Sequence, residues 1–382
     1  MEKFTVIILH YNQPQYLENS LRSVLEQDYG NIEVILADDG SVDFNTASIE
    51  EFIRREGREN LSRYEIISGA ENLGTVKSLN RAMKKAAGEF VLFFAADDAL
   101  YAPDTLSRFA MGLRELPSEE GVLAAQSLMY DEHLEELMDK HVDERLAVKL
   151  NIQPVQDQFE ALTRGCIYAA GATAWKRTLL LGMGLFDEHY TYIEDWPFFL
   201  RLTRAGHRIR FSAFPALKHR GGGISHHQDN KNRPRHVLKY FDEVLAIHER
   251  EIFPFMNKLS DHRSIDLLHT YYKMRRDLFE MAGFTERMPV FRLIFRNLRV
   301  HLKLGLFDWI NQGAGLLKAT ALPFLIAAAG FSILLSVSDS LFLLIPWGLL
   351  AGGLGVFWAC TILLWTAYHA YRRFIKKGRL AD

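Results

Sequence analysis

The first hundred residues alternate short, uniformly apolar runs with stretches of helical periodicity, and that alternation leaves few folds open. Residues 5–9 (TVIIL) form a β-branched apolar run, Asn12 and Pro14 mark a turn, and residues 16–26 carry apolar side chains at helical spacing. Residues 33–37 (EVILA) are apolar again, and the rhythm continues with a helix near 49–55, a strand near 64–68, a helix near 76–87 and a strand at 90–94. Strands that are apolar throughout are buried on both faces, and strands joined by helices run parallel. The expectation is an α/β fold with a Rossmann-like, mostly parallel sheet and helices on both faces. Ligands of such sheets bind beyond the carboxyl ends of the strands. Those ends carry His10-Tyr11-Asn12, Asp38-Asp39-Gly40-Ser41 and Asp97-Asp98. Residues 100–220, with the aromatic-rich stretch 190–199 and the glycines at 221–223, read as the second half of the same domain.

Charge excludes one class of partner. The chain of 382 residues carries 45 basic and 47 acidic side chains, a net charge of −2, so no global field points to nucleic acid. The two cysteines, Cys166 and Cys360, lie in dissimilar surroundings, the second in a strongly apolar stretch, which speaks against a disulfide and for a reducing compartment. The start, MEKFTVIILHYN, lacks a small-residue cleavage site and reads as a first strand rather than a signal peptide.

Beyond residue 228 the character changes. Residues 229–312 read as a helical extension, within which Phe291, Phe295, Leu298 and Leu302 share a face beside Arg292, Arg296, Arg299 and Lys303. A basic amphipathic helix of this kind suits a membrane interface with anionic headgroups. Residues 319–338 (20 residues) and 340–368 (29 residues) carry no charged side chain, and each is long enough to cross a hydrocarbon core of about 30 Å. A transmembrane helical hairpin is therefore expected within 313–370, with a basic tail at 371–382. Lys318 before it and Arg372, Arg373, Lys376, Lys377 and Arg379 after it place both ends in the cytoplasm by the positive-inside rule. The expected location is the inner (cytoplasmic) membrane with the first domain in the cytoplasm. Gly352, Gly353 and Gly355 offer a close-packing surface for a homo-oligomer.

Four segments in order, TVIILHYN, LADDGSVD, ENLGTVKSLNRAMKKAAGEFVLFFAADDAL and YIEDWPFFLRLTRAGHRI, resemble glycosyltransferase family 2 over about residues 3–225. The resemblance implies a GT-A fold, a nucleoside diphosphate sugar donor, a divalent metal (Mn2+ or Mg2+) and inversion at the anomeric carbon. On that resemblance Asp39 stands at the donor-base contact, with His10, Tyr11, Asn12, Lys77 and Asp97 as further donor-binding residues; Asn72, Gly74 and Asn80 fall in and after the family's loop before a helix. Two adjacent carboxylates in a turn repel each other unless a cation lies between them and a ligand, so Asp97 and Asp98 suit a hard metal held together with a diphosphate. His219 or His226 is a candidate further ligand. Ala95 departs from the family pattern, standing where many members have the first acid of a longer run. Glu194-Asp195 matches the family's acidic motif over the acceptor site. Inverting transfer needs a carboxylate to take the acceptor proton, and that role falls to Asp195, with Glu194 orienting it. Trp196, Tyr192 and Arg201 are the expected acceptor residues, with Tyr190 beside them.

The expected reaction is transfer of a sugar, from UDP by the Asp39 argument, to a lipid-linked saccharide of the surface-polysaccharide or glycolipid type. Transfer to a polyprenyl phosphate is the alternative, and a catalytically silent membrane scaffold is a second. A processive synthase is disfavoured because no Arg-Trp dipeptide occurs, and a dinucleotide oxidoreductase because no G-x-G-x-x-G follows the first strand.

Overall fold

In the computed structural model the described residues are 1–221, 235–259 and most positions from 263 to 278. The chain divides into two compact units, Met1–Ile252 and Phe253–Asp382.

The first unit opens with the expected βαβ rhythm. Strand β1 (Phe4–His10) pairs in parallel with β2 (Ile32–Asp38) and β4 (Phe90–Ala95), and β2 pairs in parallel with β3 (Leu61–Ser68). Helix α1 (Pro14–Leu25) begins with proline, whose fixed φ suits the first helical turn, and buries Leu17, Leu21, Val24 and Leu25. Helix α2 (Thr46–Glu56) is capped by Asn45, whose side chain accepts the Ser48 N–H at 3.1 Å. Helix α3 (Thr75–Met83) precedes β4.

Period-two alternation decides which helix covers which face. Phe4, Val6, Ile8, Val34, Leu36, Leu92 and Phe94 point to the core shared with Leu17 and Leu21 of α1, Phe52 of α2, and Leu106 and Phe109 of α4 (Thr105–Glu115). Their neighbour Phe93 points the other way, meeting Phe186 edge-on at 5.3 Å, and Phe186 in turn packs on Phe198 at 4.9 Å. Both faces are covered, as expected.

The second half corrects the mostly parallel expectation. It comprises β5 (Ala99–Leu100), β6 (Val122–Tyr130), β7 (Leu137–Lys140), α5 (Glu144–Leu150), α6 (Val155–Leu162), β8 (Thr173–Lys176), α7 (Arg177–Gly182), α8 (Asp195–Arg204) and β9 (Arg210–Arg220). The sheet order is β3-β2-β1-β4-β8-β6-β9-β5, with β7 on β6. Strand β8 runs antiparallel to both β4 and β6; β5 is antiparallel to β9 and β7 to β6, while β6 and β9 are parallel. The sheet is mixed, and its reversal in the middle comes from β8, a strand of only four residues that enters antiparallel between β4 and β6. A run that short leaves no periodicity to read. Trp175 of β8 is fully buried, stacked on Phe199 and edge-on to Phe198.

A buried charge lies within this framework. Glu33 is fully buried and accepts from Thr5 Oγ1 at 2.6 Å, from the Ala87 N–H at 2.7 Å and from Arg63. Burial alone would raise its pKa, but these donors together hold it below the usual value.

Helix α9 (Arg235–Ile247) and residues to Ile252 belong to the first unit. In the second unit, Phe253 meets Tyr271 edge-on at 4.9 Å. The basic amphipathic helix, the hairpin within 313–370 and the tail 371–382 lie outside the described residues. Among the described residues, no helix is long and apolar enough to cross a membrane.

Candidate active site

The parallel register His10↔Asp38 and Leu9↔Ala95 brings the carboxyl ends of β1, β2 and β4 to one edge. At the first of these ends, His10 is 3% exposed, with Nδ1 3.0 Å from Asp38 Oδ1 and 3.3 Å from Ser41 Oγ. Asp38 Oδ2 accepts the N–H groups of Gly40 and Ser41, both at 3.2 Å. His10 thus supports the turn from beneath rather than facing solvent, and Asp38 orients it. Asn12 takes the left-handed conformation (φ 51°) that asparagine tolerates, donates its N–H to Ser41 Oγ at 2.8 Å and accepts the Val42 N–H at 2.9 Å. Two turns from different strands are thereby stitched together. Tyr11, 45% exposed, stands clear of them with its ring free to stack.

Asp39 is 5% exposed, and its two oxygens accept the Leu73 N–H at 3.1 Å and the Gly74 N–H at 2.8 Å. Burial pushes its carboxyl up, and the two amides work against that shift. The carboxylate therefore anchors the loop before α3, and each oxygen keeps a further lone pair for a ligand N–H. Lys77 is exposed on α3. Asn80 is a buried clip, donating to Phe186 O at 2.9 Å and Glu188 Oε1 at 3.0 Å and accepting the Phe186 N–H at 3.1 Å.

At the end of β4, Asp97 Oδ2 accepts from Gln13 Nε2 at 3.2 Å. Burial and the adjacent Asp98 charge hold the Asp97 carboxyl above the usual range. Asp98, 5% exposed, has its oxygens 3.0 and 3.1 Å from His219 Nδ1, and one of them accepts the Arg220 N–H at 3.0 Å. Burial opposes charge on His219, but Asp98 and Asp97 outweigh it and raise its pKa. Arg220 locks the same turn by donating to Asp97 O at 2.9 Å, and its guanidinium lies 4.0 Å over the Tyr16 ring. Long-range pairing thus brings His219 to the acids 121 residues earlier. Among the described residues, no group of three or more acids, histidines or cysteines is assembled as a ready cation site. His226 lies outside the described residues.

Glu194 and Asp195 stand at the start of α8, where the helix dipole favours negative charge. Asp195 accepts the Trp196 N–H at 2.6 Å, and the Cys166 thiol donates to its other oxygen at 3.5 Å. Burial raises the Asp195 pKa; burial and the Asp195 charge push Glu194 up to about 8. The two carboxyls titrate as a pair that keeps a proton well above the ordinary carboxylate range. From α9, Tyr240 lies near them, its phenol pushed up to about 12 by burial and by the charges of Asp195, Cys166, Glu194 and Glu243.

The acceptor assignments divide. Tyr192 is partly exposed, its ring 5.5 Å beneath the Lys239 ammonium, and it lies close enough to Tyr11 for the two phenols to interact. Trp196 is turned away from the surface where a stacking wall would stand, and Arg201 is engaged elsewhere. Trp196 is 7% exposed and donates its indole N–H to Leu162 O at 2.7 Å; Arg201 donates to Leu185 O and lies 4.8 Å over the Phe198 ring. Trp196 faces the core because α8 presents Trp196, Phe198, Phe199, Leu200 and Leu202 inward, while Arg201 is half-buried beside them. Tyr190 is likewise 1% exposed. Sequence reasoning missed Glu243, Tyr240, Cys166 and Gln13. None sits in a local motif, and only the neighbouring His219 flagged the strand that carries Arg220.

Residues 5–119 match the family model described as glycosyl transferase family 2. An uncharacterized glycosyltransferase of Haemophilus influenzae is 23% identical over 82% of this chain and 95% of its own length. The poly(ribitol-phosphate) β-N-acetylglucosaminyltransferase TarS of Staphylococcus aureus is 40% identical over 26% of this chain, a stretch that spans only 17% of TarS. The crystal structure of TarS residues 1–349 is similar with a TM-score of 0.49 at 20% identity, covering 81% of this chain and 80% of that one. The βαβ rhythm and the strand-end acids Asp39, Asp97 and Asp98 fall inside residues 5–119, the part of the chain that matches the glycosyl transferase family 2 model.

Proposed function

We propose that the chain transfers a sugar from a nucleoside diphosphate donor, a UDP-sugar, to a lipid-linked saccharide with inversion, at the cytoplasmic face of a membrane. The observation that carries this reading is the half-buried acidic pair Glu194–Asp195, next to a loop that abuts the donor side: Val76 N–H donates to Thr191 O at 3.2 Å. Inverting transfer needs a base on the acceptor side and charge stabilisation on the leaving-group side. Asp195 supplies the first, with Glu194 beside it sharing the proton that burial keeps on the pair. Tyr11 and the spare lone pairs of Asp39 suit a uracil, by stacking and by accepting its ring N–H. The 20- and 29-residue uncharged runs support a membrane anchor, which confines enzyme and lipid acceptor to one plane.

Asp97, Asp98 and His219 are the residues that would hold a divalent cation; oxygen and imidazole donors suit Mn2+ or Mg2+, and the raised Asp97 pKa marks a place where a positive charge is favoured. Such a cation supplies Lewis-acid neutralisation of the departing diphosphate. Tyr192, at the exposed end of the base loop, is the remaining acceptor-side candidate.

The test is donor hydrolysis by the full chain across a panel of nucleotide sugars, with Mn2+, Mg2+ or chelator, followed by transfer to extracted membrane lipids. Release of UDP from one donor and labelling of a lipid-extractable product are expected. Labelling of polyprenyl phosphate alone would favour the alternative acceptor, and no binding of UDP at all would favour the silent scaffold.

A further inference from the structure

The loop that leads into Glu194 and Asp195 is held from below by a residue much further along the chain. Glu243 of α9 is 6% exposed, and its carboxylate accepts three successive backbone N–H groups: Thr191 at 2.7 Å, Tyr192 at 2.9 Å and Ile193 at 3.3 Å. A carboxylate buried this deeply requires donors to offset its lost hydration, and three amides aimed at it meet that need. The amides gain equally, since residues 191–193 precede α8 and have no strand to pair with.

The other side of the loop is fixed by α3. Val76 N–H donates to Thr191 O, and a Cβ on Gly74 would lie 2.3 Å from Thr191 Cγ2. Thr191 is thus gripped through its carbonyl by the donor-side helix and through its N–H by α9. The same α9 brings Lys239 over the Tyr192 ring and Tyr240 toward the acidic pair.

The geometry points to Glu243 as a positioning residue for the transfer step: it holds the 191–193 backbone so that Asp195 meets the acceptor hydroxyl at the right place. This rests on the reading of Asp195 as the base. Glu243 is buried beneath the loop with its carboxylate turned to the 191–193 amides, so its contribution is expected on kcat rather than on donor affinity. It also makes α9 part of the catalytic unit instead of a mere connecting helix.

The experiment uses the full chain in detergent and compares wild type with Glu243→Gln, which keeps the shape but replaces one acceptor by an NH2 group, and with Glu243→Asp, which keeps the charge on a shorter arm. In Glu243→Gln, kcat for transfer is expected to fall about 10–100-fold while donor KM and UDP affinity stay within about twofold, the pattern of misplaced catalytic geometry. Partial recovery in Glu243→Asp is expected. Unchanged kcat in Glu243→Gln, or equal losses in kcat and UDP affinity, would overturn the proposal. Amide hydrogen exchange on the wild type needs no variant: the 191–193 amides are expected to exchange far more slowly than those of the neighbouring loop 187–189, and equal rates would overturn it as well. Asp195→Asn, assayed in parallel, separates the two ideas. Full transfer by Asp195→Asn removes the base reading, whereas an inactive Asp195→Asn beside a normal Glu243→Gln removes only the positioning role.

Discussion

The carboxylate of Asp39 accepts the backbone N–H of Gly74 at 2.8 Å, and through that bond the end of β2 fixes the start of α3. Gly74 has φ +90°, a conformation L side chains rarely adopt, and lies against Thr191 of the loop leading to the acidic pair. The turn after β2, the start of α3 and the loop before α8 are therefore one packed unit, joined through Asp39, Gly74 and Thr191. Rigid placement of both reactants is what converts binding into rate.

Gly74→Ala probes that joint. The added methyl meets Thr191 Cγ2 at 2.3 Å and carbonyl oxygen at 2.9 Å, in a backbone conformation that is itself strained. Transfer is expected to fall at least about 10-fold, with a stability loss of about 1–3 kcal/mol read from the urea midpoint. Wild-type activity would show that the loops can separate without consequence.

The pH profile of transfer reports the acidic pair. Because burial raises Asp195, the acid limb of kcat/KM should lie above 3.8, the ordinary aspartate value, instead of at it. In Asp195→Asn, transfer is expected to drop about 100- to 10,000-fold with UDP affinity retained, measured by calorimetry and product formation.

Glu194 makes a stability prediction of definite sign. Its folded pKa of about 8 lies above the ordinary glutamate value of 4.5, so its contribution is fully present below 4.5 and is lost as pH rises through about 8. Glu194→Gln keeps the neutral form at every pH. The variant should gain about 1–2 kcal/mol over wild type at pH 9, allowing for solvent screening at this partly exposed group, and gain nothing at pH 4. Thermal melts at the two pH values check this; equal differences at both would show that the pair is not strained by charge.

Glu33 tests the framework away from the chemistry. Glu33→Ala leaves Thr5 Oγ1 and the Ala87 N–H without their acceptor inside the protein. A loss of about 2–3 kcal/mol in unfolding free energy is expected, with donor KM unchanged. The reverse pH sign applies here: the lowered pKa of Glu33 adds stability above its unfolded value and loses it as pH falls through the folded one.

Much of the first half was legible locally. The apolar runs TVIIL and EVILA are strands because β-branched residues fit a pleated sheet buried on both faces, and their spacing around α1 requires a parallel crossover. The positions of Asp39, Asp97, Asp98 and Asp195 at strand and helix ends follow from the same rhythm. In the sequence Trp196, an aromatic beside two acids, reads as part of a sugar-stacking wall, and Arg201 as an acceptor residue. The helical period instead turns Trp196 inward, and Arg201 is drawn over Phe198 to the Leu185 carbonyl.

The family resemblance, the βαβ half of the sheet and the acids at its edge can be read from the chain alone, since each depends on residues within one element or one turn. The reversed insertion of β8, the pairing of His219 with Asp98 and the seating of residues 191–193 on Glu243 emerge only once the elements have packed. The hydrogen bonds to Glu243 and Asp98 join residues 50 to 122 positions apart, and contacts of that range leave no periodic trace in a chain. They form only when packing of the intervening elements has already closed the distance.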